Sequence, residues 1–448
     1  MLRTLINAFK EKEIRRKMLL TILMLLIFRL GCFIPVPGLS LNWADTIGTM
    51  AKTNDFIGIM STITGGSLQN GTLFALGIIP FINAFIIMQL LTLVIPPLDR
   101  LSKQGESGRK KITQITRYMA ILLAVVQGVG ICLGWANSAS TETPMFIETF
   151  GNMKLTMALV IMMLTGGSCL VMWIADRITE YGIGNGTSLI IFAGILSSAG
   201  TGIVSAFQDI KSGSVSQNVW MILAFFAVIV VVFIFIIFVD LAERRITIQY
   251  AKQIKGNKMY GGQSTHIPMK VNASGVMPII FASSFLMFPQ MIASFWANSP
   301  ETAGGKFYAF WTKNLAMNTG WGIAVMCVLI LFFSFFYAQI QFNPDDISKN
   351  IQQNGGYIPG IRPGRPTADF LKKINNRITL FGAIFLAIIA LIPAVVFNFG
   401  IAKGGASGAD LANTFSATGL LIVVSVAMEF DTQLQNQLMM KHYKGFLK

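Results

Sequence analysis

The sequence predicts an all-α polytopic membrane protein of about ten transmembrane helices. Three observations predict it. The 448 residues are 53% hydrophobic and only 12% charged, with a mean hydropathy of +0.62, whereas a soluble domain carries about 25% charged residues. The apolar residues come in unbroken runs of about 20, the length a helix needs to cross a bilayer, and not in alternating segments of about 10 that would build a barrel. Backbone in lipid must satisfy its own hydrogen bonds, so these runs are helices. A soluble enzyme and a disordered chain are both excluded.

The runs follow in order at roughly 18–36, 72–96, 115–135, 153–175, 184–208, 219–239, 273–297, 319–341, 378–399 and 413–431. The first has a basic stretch before it, as a cleaved signal peptide would. Arg29 interrupts the Leu30-Gly31-Cys32 resemblance to a lipoprotein box, and Pro35-Val36-Pro37-Gly38 is no small-residue cleavage site, so an uncleaved helix is expected. The run 184–208 is rich in Gly, Ser and Thr, which suits a packed interior position. The run 219–239 is apolar throughout.

Orientation follows from the cations. Of 35 Lys and Arg, all but Lys52, Lys154, Lys211, Lys306, Lys313, Lys403 and Arg29 fall on one side of this arrangement. The positive-inside rule puts that side, with both termini, in the cytoplasm.

Motifs for chemistry are missing. No Walker sequence, His-Glu-x-x-His or Gly-x-Ser-x-Gly occurs. Gly182-Ile-Gly184-Asn-Gly186 resembles part of a dinucleotide fingerprint but opens a membrane run, without βαβ context. Cys32, Cys132, Cys169 and Cys327 lie in or beside apolar runs with no metal-ligand spacing and read as small hydrophobes. His266 and His442 sit in basic segments and read as solvated. No cofactor, metal or catalytic residue is expected. Ion-coupled carriers need ionisable groups at membrane depth, and only Arg29 lies well inside a run. It either snorkels or meets a buried partner on another helix. A passive pathway is therefore favoured over the rival, a ten-span secondary transporter or flippase.

Three segments do not suit a plain bundle. Residues 55–66 place Phe56, Ile57, Ile59, Met60 and Ile63 close to one helical face ending at Gly65-Gly66, yet are too short to cross. On the residues alone interfacial anchoring is favoured over a re-entrant plug. The loops 240–272 and 342–377 exceed what joining helices requires, and long ordered loops tend to carry function. The first alternates from Arg245 to Ala251 with period two, as a strand or hairpin arm would, and has a basic tip at Lys255-Gly-Asn-Lys258. The second is punctuated by Gly and Pro from Gly355 to Pro366 and displays Arg362 and Arg365. Attraction to anionic lipid explains the charge; docking of an acidic or RNA-rich partner explains the charge and the shape together.

Beyond these readings, a set of ordered motifs spans nearly the whole chain: Phe33-Ile-Pro-Val-Pro-Gly38, Phe74-Ala-Leu-Gly77-Ile-Ile-Pro80, Gly105-Glu-Ser-Gly-Arg-Lys-Lys111, Gly182-Ile-Gly-Asn-Gly186, Tyr260-Gly-Gly-Gln-Ser-Thr-His-Ile-Pro268, Gly360-Ile-Arg-Pro-Gly364 and His442-Tyr-Lys-Gly-Phe446. In them the chain closely resembles the bacterial SecY family, central subunits of the protein-conducting translocation channel of the plasma membrane. The resemblance implies two inverted, pseudo-symmetric halves, 1–212 and 213–448, around an hourglass pore, with a hinge near 209–218. It implies that unfolded secretory chains pass through the centre and hydrophobic segments leave sideways into lipid. The pore constriction would map to Ile78, Ile82, Ile191, Ile280 and Ile422. Thr187, one turn before Ile191, stands where the family commonly has an aliphatic residue, which would make the ring wetter or wider there. The segment 55–66 becomes the plug. The lateral gate would involve Asn83 opposite Phe288, with Gln89 and Gln127 forming a polar seam. The two loops become docking arms for the ribosome and the SecA motor, through Arg244, Arg245, Lys255, Lys258 and Arg362. The small subunits SecE and SecG are implied by the resemblance alone.

Overall fold

The structure, a computed structural model, describes residues 6, 8–40, 43–44, 47–48, 55–136, 146–147, 152–211, 218–250, 253–255, 258–260, 264–272, 275, 277–293, 303–315, 319–396 and 417–445; within these, the side chains of Phe56, Ile59, Lys255, Lys258 and Phe288 lie outside the described set. The expected hinge at 209–218 falls largely on residues outside it.

Each apolar run falls on a helix. These are α1 (Lys12–Gly31), α3 (Ile79–Val94), α5 (Glu106–Ala136), α6 (Met153–Tyr181), α7 (Gly186–Lys211), α8 (Asn218–Leu241), α9 (Met277–Ala293), α11 (Gly320–Gln341), α13 (Arg365–Val396) and α14 (Ala417–Gly445). Four shorter helices intervene: α2 (Asp55–Ile63), α4 (Pro96–Lys103), α10 (Ala303–Asn314) and α12 (Pro344–Gln353). Among the described residues, α5, α6, α7, α11 and α13 are each long and apolar enough to cross a membrane unaided, and α3 with α4 would make a sixth span if taken together. The outward side chains are apolar, Phe238 and Met162 being 73% and 70% exposed, the reverse of a soluble protein.

The second run departs from expectation. Its helix begins only at Ile79: Gly65, Gly66 and Gly71 turn the chain just before the run and Gly77 turns it again inside, all at positive φ. It stops at Ile95, which Pro96 forces into extended backbone, and the axis bends by 101° into α4. Other helices overrun their predicted bounds. α1, α5, α13 and α14 extend beyond their runs on the side where the cations collect. Residues 365–377, expected as loop, are the first turns of α13, with Leu371 and Ile374 buried beneath it.

The two long loops are one body. β1 (Glu243–Tyr250) pairs antiparallel with β4 (Ser264–Lys270), and β5 (Gly356–Tyr357) of the second loop pairs with β1, giving the order β4-β1-β5. A small hairpin, β2 (Gln253–Lys255) with β3 (Lys258–Tyr260), stands at the tip. The period-two pattern buries Ile246 and Ile248, which pack with Met269, Ile351, Ile358, Leu371 and Ile374 into a separate apolar core. α12 is capped by Asn343, whose Oδ1 accepts from the Asp345 amide at 3.2 Å.

The Gly182–Gly186 motif is a tight link between α6 and α7. A Cβ at Gly186 would lie 1.9 Å from the Ala175 carbonyl oxygen, and the Ile183 amide donates to Thr21 Oγ1 of α1 at 3.1 Å. Its glycines serve close packing and leave no room for a phosphate. Two alanine substitutions should separate packing from helix propensity. Gly186→Ala should cost about 1–3 kcal/mol through overpacking. Gly166→Ala, on the open face of α6 with nothing within 4 Å of the added carbon, should be neutral or stabilising by up to about 1 kcal/mol. Thermal unfolding in detergent reads both, and equal losses would overturn the packing account.

Candidate functional site

The sequence places Ile78, Ile82, Ile191, Ile280 and Ile422 on four separate stretches of chain. The structure brings all five into one apolar cluster, with Ile78, Ile191 and Ile422 buried and Ile82 and Ile280 partly buried against them. α1, α6 and α7 complete it through Phe28, Val171, Ile174 and Ile190. Ile78 is not itself helical; it is the N-cap of α3, and Ile82 follows one turn later, its amide bonded to the Ile78 carbonyl at 3.1 Å. Thr187 does not present a free hydroxyl. Its Oγ1 donates to Asn185 Oδ1 at 2.6 Å, and the same oxygen accepts the Thr187 amide at 3.1 Å, in the cap of α7.

α2 does not lie on the surface, which corrects the interfacial reading. Ile57 and Met60 are buried among Ile79 of α3, Ala124 and Ile131 of α5, and Val160 and Leu164 of α6. Ile63 packs against both that cluster and the five-isoleucine cluster. After α2 the chain turns at Gly65, and Arg29 of α1 reaches across to it: Nη1 donates to the Gly65 carbonyl oxygen at 2.9 Å. On α7, Ser198 Oγ donates to the Thr62 carbonyl oxygen at 3.0 Å. Of the two readings for Arg29, the buried partner holds. That partner is a backbone carbonyl, for which sequence spacing offers no signal.

The seam between α3 and the second half of the chain is apolar. Ile86 of α3 is buried among Ile279 and Phe281 of α9, Ile330 and Phe333 of α11 and Leu421 of α14, with Ile82 and Leu90 against them. Nothing in the residue pattern singled out Ile86. Asn83 is buried on the same helix; its expected neighbour Phe288 has no described side chain. Gln89 and Gln127 are enclosed on α3 and α5, but the amide oxygen of each has no hydrogen-bond partner among the described residues. The polar seam is therefore not a closed hydrogen-bonded pair.

On the sheet of the joined loops Arg244, Arg245 and Arg362 are exposed. Arg245 Nε donates to Glu243 Oε1 at 2.7 Å, a contact of small energetic weight at such exposure. Lys255 and Lys258 face each other in register at the hairpin tip. The sheet is tied to the bundle by a carboxylate that sequence reading left as a run end: Asp240 of α8 accepts from Asn272 Nδ2 at 2.8 Å and from Ser425 Oγ of α14 at 2.9 Å. An apolar cavity of about 430 Å³ opens beside the isoleucine cluster among Met18, Leu25, Leu189, Phe192, Val426 and Phe430, between α1, α7 and α14. Among the described residues no three His, Cys, Asp or Glu are grouped to hold a metal.

A family model described as SecY matches residues 72–430. "Protein translocase subunit SecY" of Streptomyces coelicolor is 40% identical over 458 residues, covering 100% of both chains. The Bacillus subtilis protein of that name is 40% identical over 453 residues, again covering 100% of both. That of Thermus thermophilus is 40% identical over 447 residues, covering 100% of this chain and 98% of its own. The fold is shared with "The structure of a protein conducting channel", at TM-score 0.64 and 20% identity over 94% of this chain and 91% of that one. It is shared too with Sec61 in the canine ribosome-channel complex, at TM-score 0.59 and 19% identity over the same shares.

The unpaired amide oxygens carry a prediction. A buried acceptor without a partner costs about 1–3 kcal/mol, and an apolar group of similar shape removes that cost. Gln127→Leu should therefore raise the unfolding midpoint in detergent. A fall would mean that the Gln127 oxygen is satisfied in the folded protein.

Proposed function

The chain belongs to the SecY family, and we propose that it is the protein-conducting subunit of a translocation channel of the bacterial plasma membrane. It passes unfolded secretory chains through its centre and releases hydrophobic segments sideways into lipid. The observation that carries this reading is the single cluster in which Ile78, Ile82, Ile191, Ile280 and Ile422 meet, with Ile63 of α2 packed against it. Branched aliphatics can close around varied side chains without specific hydrogen bonds, and a ring of them dewets when empty. On this reading the ten helices are ten spans in two inverted halves, 1–212 and 213–448, both termini are cytoplasmic, and α2 is the plug. The rival transporter needs an ionisable coupling group at membrane depth, and only Arg29, a fixed cation, lies well inside an apolar run.

The same reading supplies the gate and the partners. α3 parts from α9 and α11 to open toward lipid, Asn83, Gln89, Gln127 and Phe288 lining the exit. The exposed Arg244, Arg245 and Arg362, together with the hairpin whose sequence carries Lys255 and Lys258, dock the ribosome, through RNA phosphates, or the SecA motor, and lie near anionic lipid headgroups. The chain hydrolyses nothing itself; the partner supplies the driving force. SecE and SecG are the expected small subunits, and the cavity between α1, α7 and α14 is a seat for a helix bracing both halves.

A disulfide trap tests the central claim. The four native cysteines are replaced, Ile191→Cys is introduced, and a precursor with one Cys in its mature region is stalled during export and oxidised. An adduct requiring both the signal sequence and the stalled chain is expected. Engaged precursors that give no adduct at Ile191, Ile82 or Ile422 would move the transporter reading to the front. A second test concerns docking. Arg244→Glu with Arg362→Glu should weaken ribosome binding to the reconstituted channel by at least tenfold at low salt and flatten its salt dependence; unchanged binding would remove these residues from the interface.

A further inference from the structure

Arg29 is the one ionisable side chain well inside an apolar run, and the translocation mechanism outlined so far gives it no task. A guanidinium stays charged in any protein environment, so it must be held by something, and an intramembrane charge is retained only for a reason. It lies against the Cys32 thiol one residue past the end of its own helix, and two further contacts are described. Nη1 donates to the Gly65 carbonyl oxygen at 2.9 Å, and its central carbon stands 4.8 Å from the centroid of the Phe33 ring. No carboxylate pairs with it among the described residues.

Gly65 follows α2 directly, so the charge sits at the C-terminal, electronegative end of that helix. The same end is fixed from the other side. Ser198 donates to the Thr62 carbonyl, and Gly194 lies so near that a Cβ on it would be 2.2 Å from the Ile63 carbonyl oxygen. Gly65 has φ +68°, and a Cβ there would meet Arg29 Nη1 at 3.1 Å and the Gly194 Cα at 3.2 Å. Earlier in α2, the described contacts of Ile57 and Met60 are apolar. One end of the helix is thus gripped by polar contacts, whereas the described side chains Ile57 and Met60 earlier in it are held by packing.

Resting on the reading of α2 as the plug, we infer that Arg29 is a positioning residue that latches the plug, with Gly65-Gly66 as the pivot about which the helix swings. The grip depends on dryness. In an apolar seat the described groups that solvate the guanidinium are the Gly65 carbonyl, the Phe33 face and the weakly polar Cys32 thiol. Water brought in by a translocating chain offers the same hydrogen bonds and weakens the hold. The latch therefore holds in the empty channel and loosens in the occupied one, without any ion pair having to be broken.

The test uses the full channel complex in proteoliposomes at rest, with native cysteines replaced and Met60→Cys on the plug. The rate of modification by a membrane-impermeant maleimide reads plug excursions, and halide leak is followed in parallel. Arg29→Gln should raise both by about tenfold, the factor expected for loss of a charged hydrogen bond. Arg29→Lys, which can still donate to the carbonyl, should fall between. Rates within twofold of the parent overturn the latch. So does an equal rise at a control cysteine, Ile178→Cys, in the cluster away from the plug, because that would report general loosening. Should Arg29→Gln fail to assemble, Phe33→Leu, which removes the ring and leaves the hydrogen bond, should give a smaller rise of about threefold, and no rise overturns the proposal. No translocating chain takes part, so a missing adduct at Ile191 would sink the channel reading while leaving the latch measurement readable.

Discussion

Backbone that leaves a helix inside an apolar bundle must find hydrogen bonds there, since an unpaired group costs several kcal/mol where water is absent. The stretch between α2 and α3 is arranged around that requirement. The Val36 amide bonds to the Gly71 carbonyl at 3.0 Å and the Leu73 amide to the Ile34 carbonyl at 2.9 Å, so the Phe33–Gly38 motif serves as a short pairing strand. Trp43 Nε1 donates to the Leu68 carbonyl at 3.2 Å, and Ser168 of α6 donates to the Gly77 carbonyl at 3.0 Å. Arg29 belongs to the same set, but it is the only charged member, and it meets the chain where the stretch joins α2. The irregular segment is thereby fixed to α1 and α6.

A second consequence concerns how the halves are held together. Ile82 belongs to both the five-isoleucine cluster and the core of the second half, and Ile86 is buried wholly in the latter. Were α3 to leave for water, those side chains would lose their hydrophobic stabilisation. Leaving for lipid is different, because acyl chains are as apolar as the core they replace and only packing is lost. The seam is thus firm against solvent and lenient toward the bilayer. The unpaired oxygens of Gln89 and Gln127 bias it further, since any polar group arriving between the helices can satisfy them.

Much of this was legible in the residues. Apolar run length located every long helix, and the period-two pattern found β1 because its alternate residues are buried on one side only. Local geometry misled where glycine overrode composition: the run at 72–96 is apolar throughout much of its length, yet its first part is held in turns that pass through Gly77 at positive φ. Periodicity found the face of α2 but not its seat, because an apolar face looks alike against lipid and against protein. The joining of the two loops through β5 had no local signal, being a pairing of residues over 100 apart in sequence, Gln249 with Tyr357. Arg29 stood out as a cost, but its partner is a carbonyl, and every residue has one.

The sheet and the isoleucine cluster are mechanically continuous, and Asp240 is the reason. The hairpin leaves α8 just after this residue and returns at Val271, whose amide bonds to the Ala242 carbonyl at 2.9 Å, so the arm is closed at its base. Asp240 then takes one hydrogen bond from the arm root at Asn272 and one from Ser425, three residues beyond Ile422 on α14. Hydrogen bonds to a carboxylate contribute about 1.5–3 kcal/mol each, and neutral donors avoid the desolvation cost of burying a second charge. A load that tilts the sheet must either break these bonds or carry α14 with it. The arm also leads directly into α9, which bears Ile280, so both second-half members of the cluster are reached from one root. On the proposed reading Arg29 and Asp240 then act at different points around that cluster: one would hold the plug by a bond that water weakens, and the other would pass the motion of a docked partner to the helices that form it.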